Sequence, residues 1–162
     1  LYRDTNRMDK AEQEFLQAKD IYKQLATEHP SAYRPYLAGI CNNLGILYYE
    51  NNQMELAEQE LLRAKEIREQ LAAEYPSAYQ PDLVMSCNNL GNLYKDTNRM
   101  DKAEQELLRA KKLYERLKVF APARYASNLA IICENLGELY ENMGKSEQAA
   151  AEYAQAKELQ NK

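Results

Sequence analysis

Tryptophan is absent from this 162-residue chain, phenylalanine occurs twice and histidine once. With only five glycines and five prolines there is little material for β-turns and irregular loops, which excludes a loop-rich or hairpin-rich fold. No apolar stretch approaches the roughly 18 residues of a membrane helix. The single histidine, His29, stands just before Pro30, a position that suits an exposed helix end and not a catalytic base. No run of Lys or Arg exceeds two residues, the formal net charge is -4 and the pI is near 5.2. Such a surface has nothing with which to neutralise a phosphate backbone, so nucleic-acid binding is not expected. Three cysteines, odd in number and without C-x-x-C spacing, argue against a disulfide framework and against a metal site. No signal peptide opens the chain and free thiols suit a reducing compartment, so a cytoplasmic location is the expectation.

What is present is a period. Cys41-Asn42-Asn43-Leu44-Gly45-Ile46-Leu47-Tyr48 returns as Cys87-Asn88-Asn89-Leu90-Gly91-Asn92-Leu93-Tyr94, and again as Cys133-Glu134-Asn135-Leu136-Gly137-Glu138-Leu139-Tyr140, 46 residues apart each time. A fixed interval in this range marks a repeat array in which each unit buries its apolar face against its neighbours. The reading divides residues 1–162 into one array: an incomplete first unit (1–32), two full units (33–78 and 79–124) and a last unit (125–162), expected to be a segment of a longer array. Coiled coil, the competing helical architecture, is excluded by the regular proline and asparagine breaks.

Within a unit the apolar positions follow a helical period. Leu37, Cys41, Leu44, Gly45 and Tyr48 share one face of a first helix of about 16 residues, with Pro35 in its first turn. Asn51-Asn52 ends it, and Asn6, Asn98 and Gly144 fall in the column of Asn52 and predict the same stop. Met54, Ala57, Leu61, Ala64, Ile67 and Leu71 mark a second helix of about 20 residues. It is closed by Pro76, with Pro30 and Pro122 in the same column and Ser31-Ala32 or Ser77-Ala78 as connectors. Gly45, Gly91 and Gly137 lie mid-helix on the apolar face, where glycine costs up to about 1 kcal/mol relative to alanine. Close approach of the paired helix, helped by Ala57, Ala103 and Ala149, is the compensation. Equivalent helices should lie roughly 10 Å apart, too far for a disulfide, whose Cα atoms must come within about 7 Å. The cysteines therefore read as small buried apolar residues.

The pattern Cys41-x-x-Leu44-Gly45-x-x-Tyr48, then Ala57-x-x-x-Leu61, then Pro76, resembles the tetratricopeptide repeat signature over essentially the whole chain. It departs from that family in carrying Cys where a large aromatic is usual and in a period of 46 instead of 34. The twelve extra residues lengthen the helices, and long units with an Asn-Asn-Leu opening look like those of kinesin light chain and its bacterial relatives. The resemblance implies an all-α α-solenoid, a superhelix of stacked antiparallel helical hairpins whose first helices line a concave groove. It implies a non-enzymatic scaffold for protein–protein interaction that takes an extended peptide or partner protein in that groove, without cofactor or metal.

The groove candidates are Asn42, Asn43, Ile46 and Tyr49, then Asn88, Asn89, Asn92 and Lys95, then Glu134, Asn135, Glu138 and Glu141. Asparagine carries donor and acceptor together, so an Asn ladder can clamp the backbone of an extended peptide; it can equally tie one unit to the next. Glu134, Glu138 and Glu141 fall at i, i+4 and i+7, and this acidic end favours a ligand with a basic terminus. Lys95 stands alone in its columns, which is unlike the carboxylate clamp of chaperone-tail-binding relatives. Two alternatives remain at this stage: a structural segment that self-associates through exposed stack ends, and the sensor arm of a larger regulatory protein.

Overall fold

The computed structural model describes residues 2–161, and the side chains of residues 8–119, 121 and 125–161. Among the described residues there are seven helices and no strand: α1 (Tyr2–Glu28), α2 (Pro30–Glu50), α3 (Met54–Glu74), α4 (Pro76–Asp96), α5 (Met100–Phe120), α6 (Pro122–Asn142) and α7 (Ser146–Gln160). The fold is an all-α helical repeat of the solenoid class.

Two kinds of connector alternate. First helices end in a three-residue turn whose middle residue takes a left-handed conformation: Asn52 at φ 59°, Asn98 at φ 58° and Gly144 at φ 70°. Only Gly and, at modest cost, Asn visit that region routinely. Second helices end in a single extended residue, His29 (φ -132°), Tyr75 (φ -135°) or Ala121 (φ -148°). A proline follows each one, and the residue before proline is pushed out of the α region. The same proline then opens the next helix, where its missing N–H costs nothing.

This placement corrects the expected boundaries of the first helices. Pro30, Pro76 and Pro122 start them, Ser31-Ala32 and Ser77-Ala78 are already helical, and Pro35 and Pro81 lie inside. The first helices are therefore 21 residues long and not about 16. Each internal proline leaves without its helical N–H donor the carbonyl four residues back, that of the exposed Ser31 or Ser77.

A second correction falls at Asn6. The backbone of α1 continues through this position, although residues 4–14 repeat 96–106 identically. At Asn98 the chain folds back onto a complete preceding helix, α4. Among the described residues no turn interrupts α1 at Asn6, so the same eleven residues take two backbone conformations.

The chain forms two compact units, Leu1–Tyr79 and Gln80–Lys162. In the first, α1 and α3 both pack on α2, with Leu37, Cys41 and Ala64 at the centre and Tyr22, Ala26 and Ile67 against them. In the second, α5 and α7 both pack on α6, and Leu129, Ala130, Cys133, Leu136 and Leu139 are buried. The glycine column does mark close helix approach, and the nearest side chains are those four positions beyond the alanines. A Cβ on Gly45 would stand 2.6 Å from Leu61 Cγ, one on Gly91 2.6 Å from Leu107 Cγ, and one on Gly137 2.5 Å from the Tyr153 ring.

The cysteines are buried and free, yet they do more than fill space. Cys41 hydrogen-bonds the Glu60 carboxylate and Cys133 that of Glu152. Glu60 is in turn bridged by Lys19 of α1, and Glu152 by Lys111 of α5 at 2.7 Å. Each unit thus carries a Lys–Glu–Cys chain that links two second helices through a first helix.

Candidate functional site

The site is built from what the core leaves over on the first helices. In α4 the core takes Leu83, Val84, Cys87, Leu90, Leu93 and Tyr94. Met85 is exposed, while Asn88, Asn89, Asn92 and Lys95 are half-buried. In α6, Ile131, Glu138 and Glu141 are exposed, and Glu134 and Asn135 are half-buried. Helical spacing places Met85, Asn89 and Asn92 on one stripe and Ile131, Asn135 and Glu138 on the equivalent stripe.

Several of these side chains also bond one another. Asn135 Nδ2 donates to Asn88 Oδ1 at 2.7 Å, joining α6 to α4. Lys95 Nζ meets Glu138 Oε2 at 2.6 Å, an ion pair between α4 and α6. Gln160 Nε2 donates to Glu134 at 2.7 Å, and the Tyr153 hydroxyl donates to Glu141 at 3.0 Å. Among the described residues only Glu138 of the three glutamates is matched by a cation; Gln160 and Tyr153, the partners of Glu134 and Glu141, are neutral. Burial and the bond to Glu141 hold the Tyr153 hydroxyl above the ordinary tyrosine range.

In the first unit the candidates divide. Asn42 is only 3% exposed, and its Oδ1 accepts from the buried Arg68 Nη1 at 3.2 Å. That bond joins α2 to α3 inside the unit. Asn43 is exposed, and Ile46 and Tyr49 are half-buried.

The sequence reading overlooked the aliphatic members of this face. Met85 and Ile131 are 45% and 50% exposed, and with Val84 and Ile132 they wall a cleft of about 110 Å³. Asn88 and Asn128 stand at its polar edge with Tyr114, whose hydroxyl is hydrogen-bonded to Asn128. A signal was available. Gly39, Met85 and Ile131 form a column four positions before the Asn43 column, and its two apolar members fall outside the already complete buried stripe. In the first unit Tyr36 is 58% exposed and stacks on Tyr22 at 5.5 Å.

Comparison with known proteins agrees with this geometry. Two models of the tetratricopeptide repeat match the chain, one at residues 37–72 and the other at 86–116 and 130–162. The crystal structure of BtubC (BKLC) from P. vanneervenii superposes with a TM-score of 0.77 at 27% identity, covering 99% of this chain and 59% of that one. The chain thus spans well under two thirds of that protein. The kinesin-light-chain TPR-like repeats of Podosopora anserina superpose with a TM-score of 0.60 at 21% identity, covering 98% of this chain and 70% of theirs, a likeness of fold. No curated protein matches the chain.

Proposed function

The chain belongs to the tetratricopeptide repeat family, whose arrays serve as protein–protein interaction scaffolds, and from this we propose that it is a non-catalytic scaffold holding an extended peptide segment of a partner along its first helices. The observation that carries the proposal is the stripe left over by the core. Met85, Asn89 and Asn92 on α4, and Ile131, Asn135 and Glu138 on α6, offer aliphatic surface, amides and charge at helical spacing. Asparagine amides can serve both the N–H and the C=O of a peptide backbone, and exposed aliphatic groups among them supply burial. Asn88–Asn135 and Lys95–Glu138 tie neighbouring first helices together, which holds such a surface in register before a ligand arrives. The uncancelled charge of Glu134 and Glu141 favours a basic terminus on the ligand. A short polar surface of this kind supports roughly micromolar affinity, about -8 kcal/mol.

A random peptide display library panned against the folded chain tests the proposal. Enriched peptides should bind in solution with micromolar Kd, and Asn89→Ala should weaken them by about ten-fold, 1.4 kcal/mol. Asn135→Ala should weaken binding and also lower stability, because Asn88 loses its partner. No enrichment over an unrelated helical protein, together with a mass that rises with concentration in sedimentation, would replace peptide holding with self-association.

A further inference from the structure

Granted the peptide-holding reading, the chemistry of the cleft between α4 and α6 narrows the ligand. We infer that this cleft receives one branched or linear aliphatic side chain of the peptide, and that the same peptide carries Lys or Arg a few residues away, beside Glu134 or Glu141.

The walls are Val84, Met85, Ile131 and Ile132, and the space is about 110 Å³. Leu, Ile and Met side chains, wholly apolar, match this aliphatic lining in character. The walls offer no charge, so an acidic or basic side chain would be desolvated there without compensation. Met on one wall adapts its shape to either a branched or a linear guest. Asn88 and Asn128 lie at the edge, within reach of the peptide units on either side of the guest side chain. The Asn88 amide oxygen already accepts from Asn135, which leaves its NH2 group as the donor for a peptide carbonyl.

The basic residue follows from the charge beside the cleft. Along α6, Glu134 lies about 4.5 Å and Glu141 about 15 Å beyond Ile131 on the axis, at 1.5 Å per residue. An extended peptide advances about 3.3 Å per residue, so a cation one to five residues from the aliphatic anchor reaches one of them. Gln160 and Tyr153, which bond these two carboxylates, carry no charge to cancel theirs. Glu138 is held by Lys95. Glu141 also lies in the last turn of α6, which contains no basic residue, and the carbonyl end of the helix adds to the negative potential.

The test measures peptides from the display experiment by fluorescence anisotropy against the intact chain and two variants. Ile131→Lys places a charge at the mouth of the cleft from a position that is half exposed, and Glu134→Gln removes one carboxylate. The aliphatic anchor of each peptide is separately changed to Ala. Anchor truncation should weaken binding to the native chain about ten-fold. It should have little effect on binding to Ile131→Lys, which is itself about ten-fold weaker, and this coupling is independent of any loss of stability in the variant. Binding should weaken with added salt, and less steeply in Glu134→Gln. Peptides that bind tightly but share no aliphatic position, or whose truncation costs the same in native and Ile131→Lys chains, would overturn the cleft while leaving peptide holding intact. Failure of every peptide to bind would overturn both.

Discussion

A methyl group at Gly39 would meet nothing within 4 Å, whereas at Gly91 it would stand 2.6 Å from Leu107 Cγ. Both glycines lie within helices, so the same substitution separates backbone entropy from packing. Gly39→Ala should stabilise the chain by about 0.5–1 kcal/mol, because it restricts the unfolded backbone without touching the folded one. Gly91→Ala should destabilise it by about 1–3 kcal/mol, because Leu107 must leave its position in a dense core. Urea denaturation of the two variants decides the matter, and equal effects would refute close approach at the glycine column. That column was legible because a mid-helix glycine recurring at one interval demands a packing reason. Its true partners were not, because the clash falls on residues four positions beyond the small alanines. The burial of Asn42 was not legible for a related reason. Its buried partner Arg68 occupies the column of Tyr22 and Tyr114, and a lone arginine on a helix reads as solvent-facing until its bond is seen.

Eleven identical residues, 4–14 and 96–106, are uninterrupted helix in α1 and a helix–turn–helix at the junction of α4 and α5. A stop signal that is an asparagine is permissive: it lowers the cost of the left-handed turn without enforcing it. At Asn98 the turn is accompanied by packing of α5 on α4, where Gly91 lies against Leu107. Fusing a copy of residues 76–95 ahead of residue 4 should therefore turn Asn6 into the left-handed residue of a new connector. The backbone carbon shifts of Asn6 in NMR would move from helical to left-handed values; an unchanged helical signature would show that the α1 conformation is intrinsic. Prolines pose the converse ambiguity. Pro30, Pro76 and Pro122 were legible as breaks, but proline both stops one helix and starts the next. The sequence alone therefore left the first helices five residues short at their N-termini.

The all-α repeat class was legible at the scale of the whole chain because periodicity is a global property that no single misplaced boundary can remove. What the repetition did not reveal is that each unit's cysteine and tyrosine are tied to carboxylates, and this has a collective consequence. Burial first, and the negative charge of Glu60 and Glu152 with it, push the Cys41 thiol up to about 11 and the Cys133 thiol up to about 12. Burial first, then bonds to Glu12 and Glu104, push the Tyr48 and Tyr140 hydroxyls up to about 12. All four groups are neutral when protonated and hold their protons more tightly folded than unfolded. Their contribution to stability is therefore complete below the unfolded values of 9.0 for Cys and 10.0 for Tyr, and is lost as pH rises through the folded values. The melting temperature of the reduced chain should stay level up to about pH 9 and fall between about pH 9 and 12. Surface lysines titrate in the same window, so the discriminating comparison is internal. In a Cys41→Ala, Cys133→Ala variant the fall should be shallower, even though the variant starts lower for want of the thiol bonds. Parallel curves for native and variant chains would mean that the thiols do not share in alkaline unfolding, and the Lys–Glu–Cys chains would then be ordinary ion pairs beside an inert sulfur.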